Sequence, residues 1–276
     1  MAKRKKRKQN TLLFWEVLIC SLLICSVLLY IAIELRKPLP DPQDNTAATD
    51  PVGTLAANPL NPEDFIKKDG YLHCLTHPAV LGIDVSFWQG QIDWAQVKDA
   101  GIQFAMIRVG ARSSDQGKLF ADDCVSQNYA GASAAGVKVG AYFFSQAVTP
   151  AEAVEEAEYM LAIIKDWKVD MPIVYDWEYI SADARTGDVD ARTLTDCAKA
   201  FCRTVAAAGY QPMIYFNTSQ SFERLYLEEL AGYPFWLAQY NDTLEYPYKI
   251  DMWQYTDQGN VPGINGYVDL NLYFPW

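Results

Sequence analysis

The chain has 276 residues, half of them hydrophobic, with 34 acidic and 23 basic side chains and only two histidines. That length and apolar share support one sizeable core with segments outside it. Residues 1–37 hold eight of the Lys and Arg and only two acids, Glu16 and Glu34, so the remainder carries a formal net charge of −17. Such a surface excludes nucleic acid as a partner, since phosphate binding needs positive charge; it also repels anionic polymers, leaving recognition to local contacts with neutral groups.

The chain opens on the basic run Lys3 to Lys8, followed by Leu12 to Ile33, 22 residues with a single charge at Glu16. At ~1.5 Å per residue this reaches ~33 Å as a helix, enough for a hydrocarbon core of ~30 Å. A cleaved secretory leader is the competing reading, but its apolar region is usually about 7 to 15 residues and ends in small residues. Ile33-Glu34-Leu35-Arg36-Lys37-Pro38 offers no such site. The sequence therefore predicts a basic cytoplasmic tail over 1–11, a single transmembrane signal anchor over 12–35 and everything beyond it outside the cell membrane.

Residues 36–78 read as an extracellular linker. Its Pro38–Pro62 stretch is rich in Pro, Asp, Asn, Thr and Ala, the composition of a disordered stalk. Cys20 and Cys25 fall in the membrane segment, while Cys74, Cys124, Cys197 and Cys202 lie beyond it and allow up to two bridges of unassigned pairing. With no Cys-x-x-Cys pair and only His73 and His77, neither metal nor cofactor is expected.

From about residue 79 to the end, short β-type runs alternate with helical stretches, an α/β pattern. Strands are predicted at 81–86, 104–110, 137–145, 171–178, 211–217, 235–240, 251–256 and 267–273, eight segments that fit a (β/α) barrel of the TIM-barrel type. The early runs are continuously apolar, as parallel strands covered on both faces should be. Helices are predicted at 94–100, 121–135, 150–165 and 191–208, with Gly101, Gly136 and Gly209 as their C-terminal stops. For the third, Thr149 is the N-cap, Pro150 the first helical residue and Glu152 placed to close a capping box. After Tyr215 helices shorten and strands crowd, making the second half irregular.

The segment Pro172 to Glu178 carries the chemistry. On a strand, residues two apart share a face, so Asp176 and Glu178 point one way and Trp177 the other. If their carboxylates lie ~6 Å apart at an effective dielectric of ~20, repulsion of about 2.8 kcal/mol, roughly two pKa units, keeps a proton on one of them. A protonated carboxyl beside an ionised one is what glycosidic cleavage requires; a solvated strand end is the plainer alternative. Asp84 closes the first barrel strand and Asp269 sits in the last, both amid apolar residues, and in a parallel barrel those strands are neighbours whose acids converge on the central pair. No histidine or cysteine stands beside the four acids to activate a Ser or Cys nucleophile. Tyr142, Phe143, Tyr175, Tyr215, Trp236, Tyr240, Trp253 and Tyr255, interleaved with Asn217, Gln239 and Gln254, offer rings for sugar faces and amides for hydroxyls, against the plainer reading of barrel core. Of these, Tyr142, Tyr175, Tyr215, Asn217, Trp236, Gln239 and Gln254 are the expected substrate contacts.

Gly82-Ile83-Asp84-Val85-Ser86 with Trp88-Gln89-Gly90, Ile92-Asp93-Trp94, Phe104 to Gly110, Tyr175-Asp176-Trp177-Glu178, Trp236 to Tyr240, Trp253-Gln254-Tyr255 and Gly263 to Asn271 together resemble glycoside hydrolase family 25, the Chalaropsis-type lysozymes that include many phage endolysins. The resemblance runs from about residue 80 to 274. It implies an irregular, flattened barrel and hydrolysis, with retention, of the β-1,4 bond between N-acetylmuramic acid and N-acetylglucosamine in peptidoglycan. Glu178 then corresponds to the general acid/base, Asp176 to the residue that assists the substrate's 2-acetamido group, and Asp84 and Asp269 to supporting aspartates. A catalytically inactive wall-binding module is the alternative; it has no need of a proton donor. The partners implied are peptidoglycan strands and, through the N-terminal segment, the cytoplasmic membrane.

Overall fold

A computed structural model describes the protein at Asp50 and from Gly53 to Trp276. The expected basic tail, membrane anchor and most of the stalk lie outside these residues. Among the described residues no helix is long and apolar enough to cross a membrane.

In chain order the strands are β1 (Phe65–Lys68), β2 (Tyr71–Cys74), β3 (Val80–Val85), β4 (Phe104–Arg112), β5 (Leu119–Ala121), β6 (Lys138–Ser145), β7 (Ile173–Trp177), β8 (Pro212–Asn217), β9 (Phe235–Ala238), β10 (Met252–Gly259) and β11 (Val268–Tyr273). The helices are α1 (Trp94–Asp99), α2 (Val125–Ala134), α3 (Pro150–Ile164), α4 (Ala191–Ala207), α5 (Thr218–Glu223) and α6 (Leu227–Leu230). Eight strands close a barrel in the order β3, β11, β10, β9, β8, β7, β6, β4, with β4 pairing back onto β3 and β5 attached to the far end of β4. Each of the eight predicted strands is present.

Alternation along the strands creates two cores. Residues facing inward, among them Phe104, Met106, Val174, Met213, Trp236 and Met252, fill the barrel. Their neighbours in sequence, such as Ile107, Val139, Ile173, Ile214 and Leu237, face outward into a larger core with the helices. On α4 the stripe Leu194, Cys197, Ala198, Phe201, Cys202 and Val205 is buried, a helical spacing matched to that outer face. Gly101, Gly136 and Gly209 stop their helices at φ of 92°, 68° and 87°.

Four readings change. First, the barrel is not wholly parallel: β11 runs antiparallel to both β10 and β3. No helix lies between β9 and β10 or between β10 and β11, so the chain returns through turns and the last strand enters reversed. Second, the linker expected over 36–78 ends early. Pro62–Asp64 forms a 3₁₀ turn, β1 and β2 form a hairpin, and Leu60, Phe65 and Leu72 are buried in the main core. The Phe65 ring meets Trp253 edge-on at 5.1 Å. The hairpin's two-residue turn is Asp69-Gly70, with φ of 52° and 88°, and that dipeptide is a strong hairpin signal in the sequence. Third, Cys74, Cys124, Cys197 and Cys202 are all unpaired thiols. Fourth, the α3 capping box is only half made. Thr149 Oγ1 accepts from the Glu152 N–H at 3.3 Å, but the Glu152 carboxylate accepts from the Val148 N–H and from Arg185.

Because β1 contributes Phe65 to the main core, Phe65→Ala should destabilise the domain by about 3 kcal/mol. Urea unfolding measures this; an unchanged midpoint would show that the hairpin does not belong to the cooperative fold.

Candidate active site

The carboxyl ends of the parallel strands open on a cleft of about 310 Å³ that holds all four predicted acids. Asp176 shares the inward face of β7 with Val174, while Tyr175 and Trp177 point out into the helix-side core. Glu178 follows directly after the strand, on the same face and nearer the opening. Asp176 is only 4 % exposed, and its Oδ1 has no hydrogen-bond partner. Burial pushes the Asp176 carboxyl well above the ordinary range, reinforced by Glu178 and Asp84 and opposed by Arg108. Glu178 is raised by burial and then by Asp84. Both members of the pair thus favour the protonated form, the deeper one more strongly.

The reversal of β11 decides the position of the other two acids. In an antiparallel strand the N-terminal residues lie at the end where parallel neighbours finish, so Asp269, the second residue of β11, is directly paired with Asp84 near the end of β3. Burial and the charge of the facing Asp84 push Asp269 to about 9. Asp84 Oδ2 is fixed by two amides, Gln254 Nε2 at 2.9 Å and Asn271 Nδ2 at 2.7 Å. The amides that donate to Asp84 favour placing the pair's proton on Asp269. Burial raises Asp84 too, but these donors favour its ionised form.

The amides are themselves oriented. Gln254 Oε1 accepts from the hydroxyls of Tyr215 and Tyr240 at 3.0 and 3.1 Å, and Asn271 Oδ1 accepts from Trp236 Nε1 at 2.8 Å. A chain of donors therefore runs from the aromatic rings through two amides to one buried carboxylate. Of the expected substrate contacts, Tyr142, Tyr215, Trp236 and Gln254 line the cleft. Trp236 is 1 % exposed, which makes it floor and support and removes it as a stacking platform.

Three expected contacts are not in the cleft. Tyr175 packs outward against Phe201. Asn217 caps α5, its Oδ1 accepting from the Gln220 N–H at 2.9 Å. Gln239 ties down the following loop through both the N–H and the carbonyl of Glu245. Arg108, Ser86, Trp88, Gln89 and Phe144, none of them among the expected substrate contacts, also line the cleft. Arg108 is held by Asp122 at 2.8 Å and lies over the Phe87 ring at 4.9 Å. A single arginine inside the apolar run Phe104 to Gly110 was its signal. Trp88 is 75 % exposed at the rim and offers the open ring face that Trp236 does not.

The model of the family Glycosyl hydrolases family 25 matches residues 83–264, about two thirds of the chain. The chain belongs to this family. It is 32 % identical to the Escherichia coli O157:H7 protein YegX over 76 % of its own length and 78 % of that protein's. It is 29 % identical to Lysozyme M1 of Streptomyces globisporus, with 70 % and 67 % covered. Among solved structures, the modular autolysin LytC of Streptococcus pneumoniae superposes with a TM-score of 0.65 at 25 % identity, covering 76 % of this chain. The chain spans about half of LytC, 52 %; LytC has also been solved in complex with a synthetic peptidoglycan ligand. As a family 25 member the protein is a glycoside hydrolase. Asp269 and Asn271 lie just past the matched stretch, and the β1–β2 hairpin lies before it.

The raised carboxyls make stability depend on pH in a defined sense. Asp269, unfolded near ~3.9, titrates in the fold at about 9, so the native state binds the extra proton across that window and loses stability as pH rises through it. Asp84, Asp176 and Glu178 act in the same direction. The melting temperature should therefore fall between pH 5 and pH 9, and Asp269→Asn should flatten that slope. Thermal unfolding at several pH values measures it; a slope unchanged in the variant would contradict the shared proton.

Proposed function

We propose that this glycoside hydrolase is a peptidoglycan hydrolase, an N-acetylmuramidase that cleaves the β-1,4 bond between N-acetylmuramic acid and N-acetylglucosamine with retention. The observation that carries this reading is the pair at the end of β7: two carboxyls both pushed toward protonation, the deeper one with a buried oxygen lacking a donor. The names of its lysozyme and autolysin relatives support the choice of polymer.

An acetamido N–H is the donor that Asp176 Oδ1 lacks. Its arrival favours the ionised form of Asp176, because a hydrogen bond to a carboxylate stabilises the charge. The proton held by the pair then resides on Glu178, at the open edge where the glycosidic oxygen lies. Glu178 protonates that oxygen as the C1–O bond breaks, and the acetamido carbonyl oxygen forms the new bond to C1, its N–H held by Asp176. Glu178, now a carboxylate, takes a proton from water, which attacks C1 from the vacated face and regenerates the acetamide. Two inversions give net retention. The facing pair of Asp84 and Asp269 keeps a fixed negative charge near the developing oxocarbenium ion.

The apolar run 12–33 and its flanking basic residues support a further part of the reading: the enzyme is anchored in the cell membrane, N-terminus inside, and cuts the wall just outside it. Fractionation of cells should recover the full chain with membranes, its catalytic domain digestible by external protease; a soluble full-length chain would overturn the anchor.

Residues 50–276 should release reducing muramic-acid ends from purified peptidoglycan. Glu178→Gln should lower the rate by about 10³-fold and Asp176→Asn by about 10²-fold. The first product seen by proton NMR should be the β anomer. Wild-type rates for Glu178→Gln would overturn the assignment, and no release by the wild-type protein would identify a wall-binding module instead.

A further inference from the structure

The β7 ladder stops short of the residue it serves. Its last pairs are Ser145 with Trp177 on the β6 side and Asp176 with Tyr215 on the β8 side. Beyond them Trp177 has no strand partner on its β8 side and Glu178 has none on either, although the placement of the Glu178 carboxyl depends on this backbone. Two buried glutamines take over that task. Gln220 Nε2, from α5, donates to the Trp177 carbonyl at 2.6 Å, and Gln146 Nε2, just past β6, donates to the Glu178 carbonyl at 3.0 Å. They are 5 % and 0 % exposed.

Each amide is held on its other side. The Gln220 Oε1 accepts from the Asn217 N–H at 3.1 Å. The Gln146 Oε1 accepts from the buried Thr186 hydroxyl at 2.7 Å, and the Gln146 carbonyl accepts from Arg185, which is paired with Glu152 at the start of α3. Behind them Glu156, fully buried, accepts from Arg112 at 2.8 Å and from the Ser145 hydroxyl at 2.5 Å, and from the Gln146 N–H at 3.3 Å. Buried polar groups are costly unless satisfied, and this set is not needed to close the barrel, whose ladder already ends at Trp177. Arg112 also donates to the Gly117 and Glu152 carbonyls, and Gln146 Nε2 to the Ser145 carbonyl at 2.8 Å, while the bonds of Glu156 and Arg185 with the Gln146 peptide connect the set through its amide to Glu178.

We infer that Gln146 and Gln220 form a clamp that extends the β7 ladder by side-chain amides and sets the position of Glu178 against Asp176, with Gln146, oriented by Thr186, as the principal positioning residue. This rests on the reading of Glu178 as proton donor. Misplacing a reacting group by about 1 Å can cost about 10²-fold in rate, so the clamp should appear in turnover before it appears in substrate binding.

The test compares full-length wild type with Gln146→Leu, Gln146→Glu and Thr186→Val on a soluble peptidoglycan oligosaccharide. Gln146→Leu should lower kcat by at least about tenfold with KM changed less than about twofold. Thr186→Val, which leaves the amide in place but unoriented, should give a smaller loss of the same kind. A carboxyl at 146 donates only when protonated, so the activity of Gln146→Glu relative to wild type should recover as pH falls, while the ratio for Gln146→Leu stays flat. Crystal structures supply a readout independent of turnover: the Glu178 carboxyl should be displaced from Asp176 in Gln146→Leu, or in Thr186→Val where the leucine variant does not fold. Wild-type kcat in folded variants, equal losses in kcat and KM, or an undisplaced Glu178 would overturn the clamp. An inactive wild-type protein would overturn the assignment of Glu178 and leave the crystallographic comparison to judge the clamp.

Discussion

Four carboxyls at the mouth of one barrel, with Arg108 the only cation among the residues lining the cleft, are the constraint around which the site is arranged. Charges of one sign do not remain ionised together in a place screened from water; the group of highest affinity keeps a proton. The fold sorts them by what each is given. Asp84 receives two oriented amides and carries the charge, and Asp269 beside it receives the proton. Asp176 receives no donor at one oxygen, and Glu178 receives the opening. Differences in hydrogen-bond supply thus turn four chemically similar side chains into distinct ones.

That sorting depends on topology as much as on residue identity. A fully parallel barrel would bring the C-terminal end of the last strand to the mouth; reversal of β11 brings its beginning, and with it Asp269 and Asn271 in register with Asp84 and Gly82. The return without helices between β9 and β11 is what permits the reversal. Irregularity in the second half is therefore what completes the acid cluster. The aromatic load belongs to the same scheme: Tyr215, Tyr240 and Trp236 use their polar tips to aim the amides that hold Asp84.

Much of this was legible in the sequence, because period-two alternation and helix-stop signals act locally. The eight barrel strands, helices α1 to α4 and the shared face of Asp176 and Glu178 follow from it. The same alternation that joins Asp176 to Glu178 sends Tyr175 to the opposite face, so its assignment to the cleft conflicted with the rule used beside it. Asn217 and Gln239 were legible as amides near strand ends but not as amides already engaged, since their partners in α5 and the 239–245 loop are chosen by tertiary structure. The hairpin hid in a polar stretch because each of its short strands commits few large apolar residues to the core, although Asp69-Gly70 announced its turn. The direction of β11 had no local signature.

The central claim is that the barrel mouth holds shared protons at neutral pH. Carboxyl-carbon NMR of protein labelled at Asp and Glu, titrated from pH 3 to pH 10 with Asp84, Asp176, Glu178 and Asp269 assigned by substitution, tests it most directly. The account predicts that near pH 7 Asp269 and one member of the Asp176–Glu178 pair still give protonated-carboxyl shifts, with Asp269 titrating near 9. Four carboxyls all ionised below about pH 5, in the ordinary range for solvated acids, would contradict it.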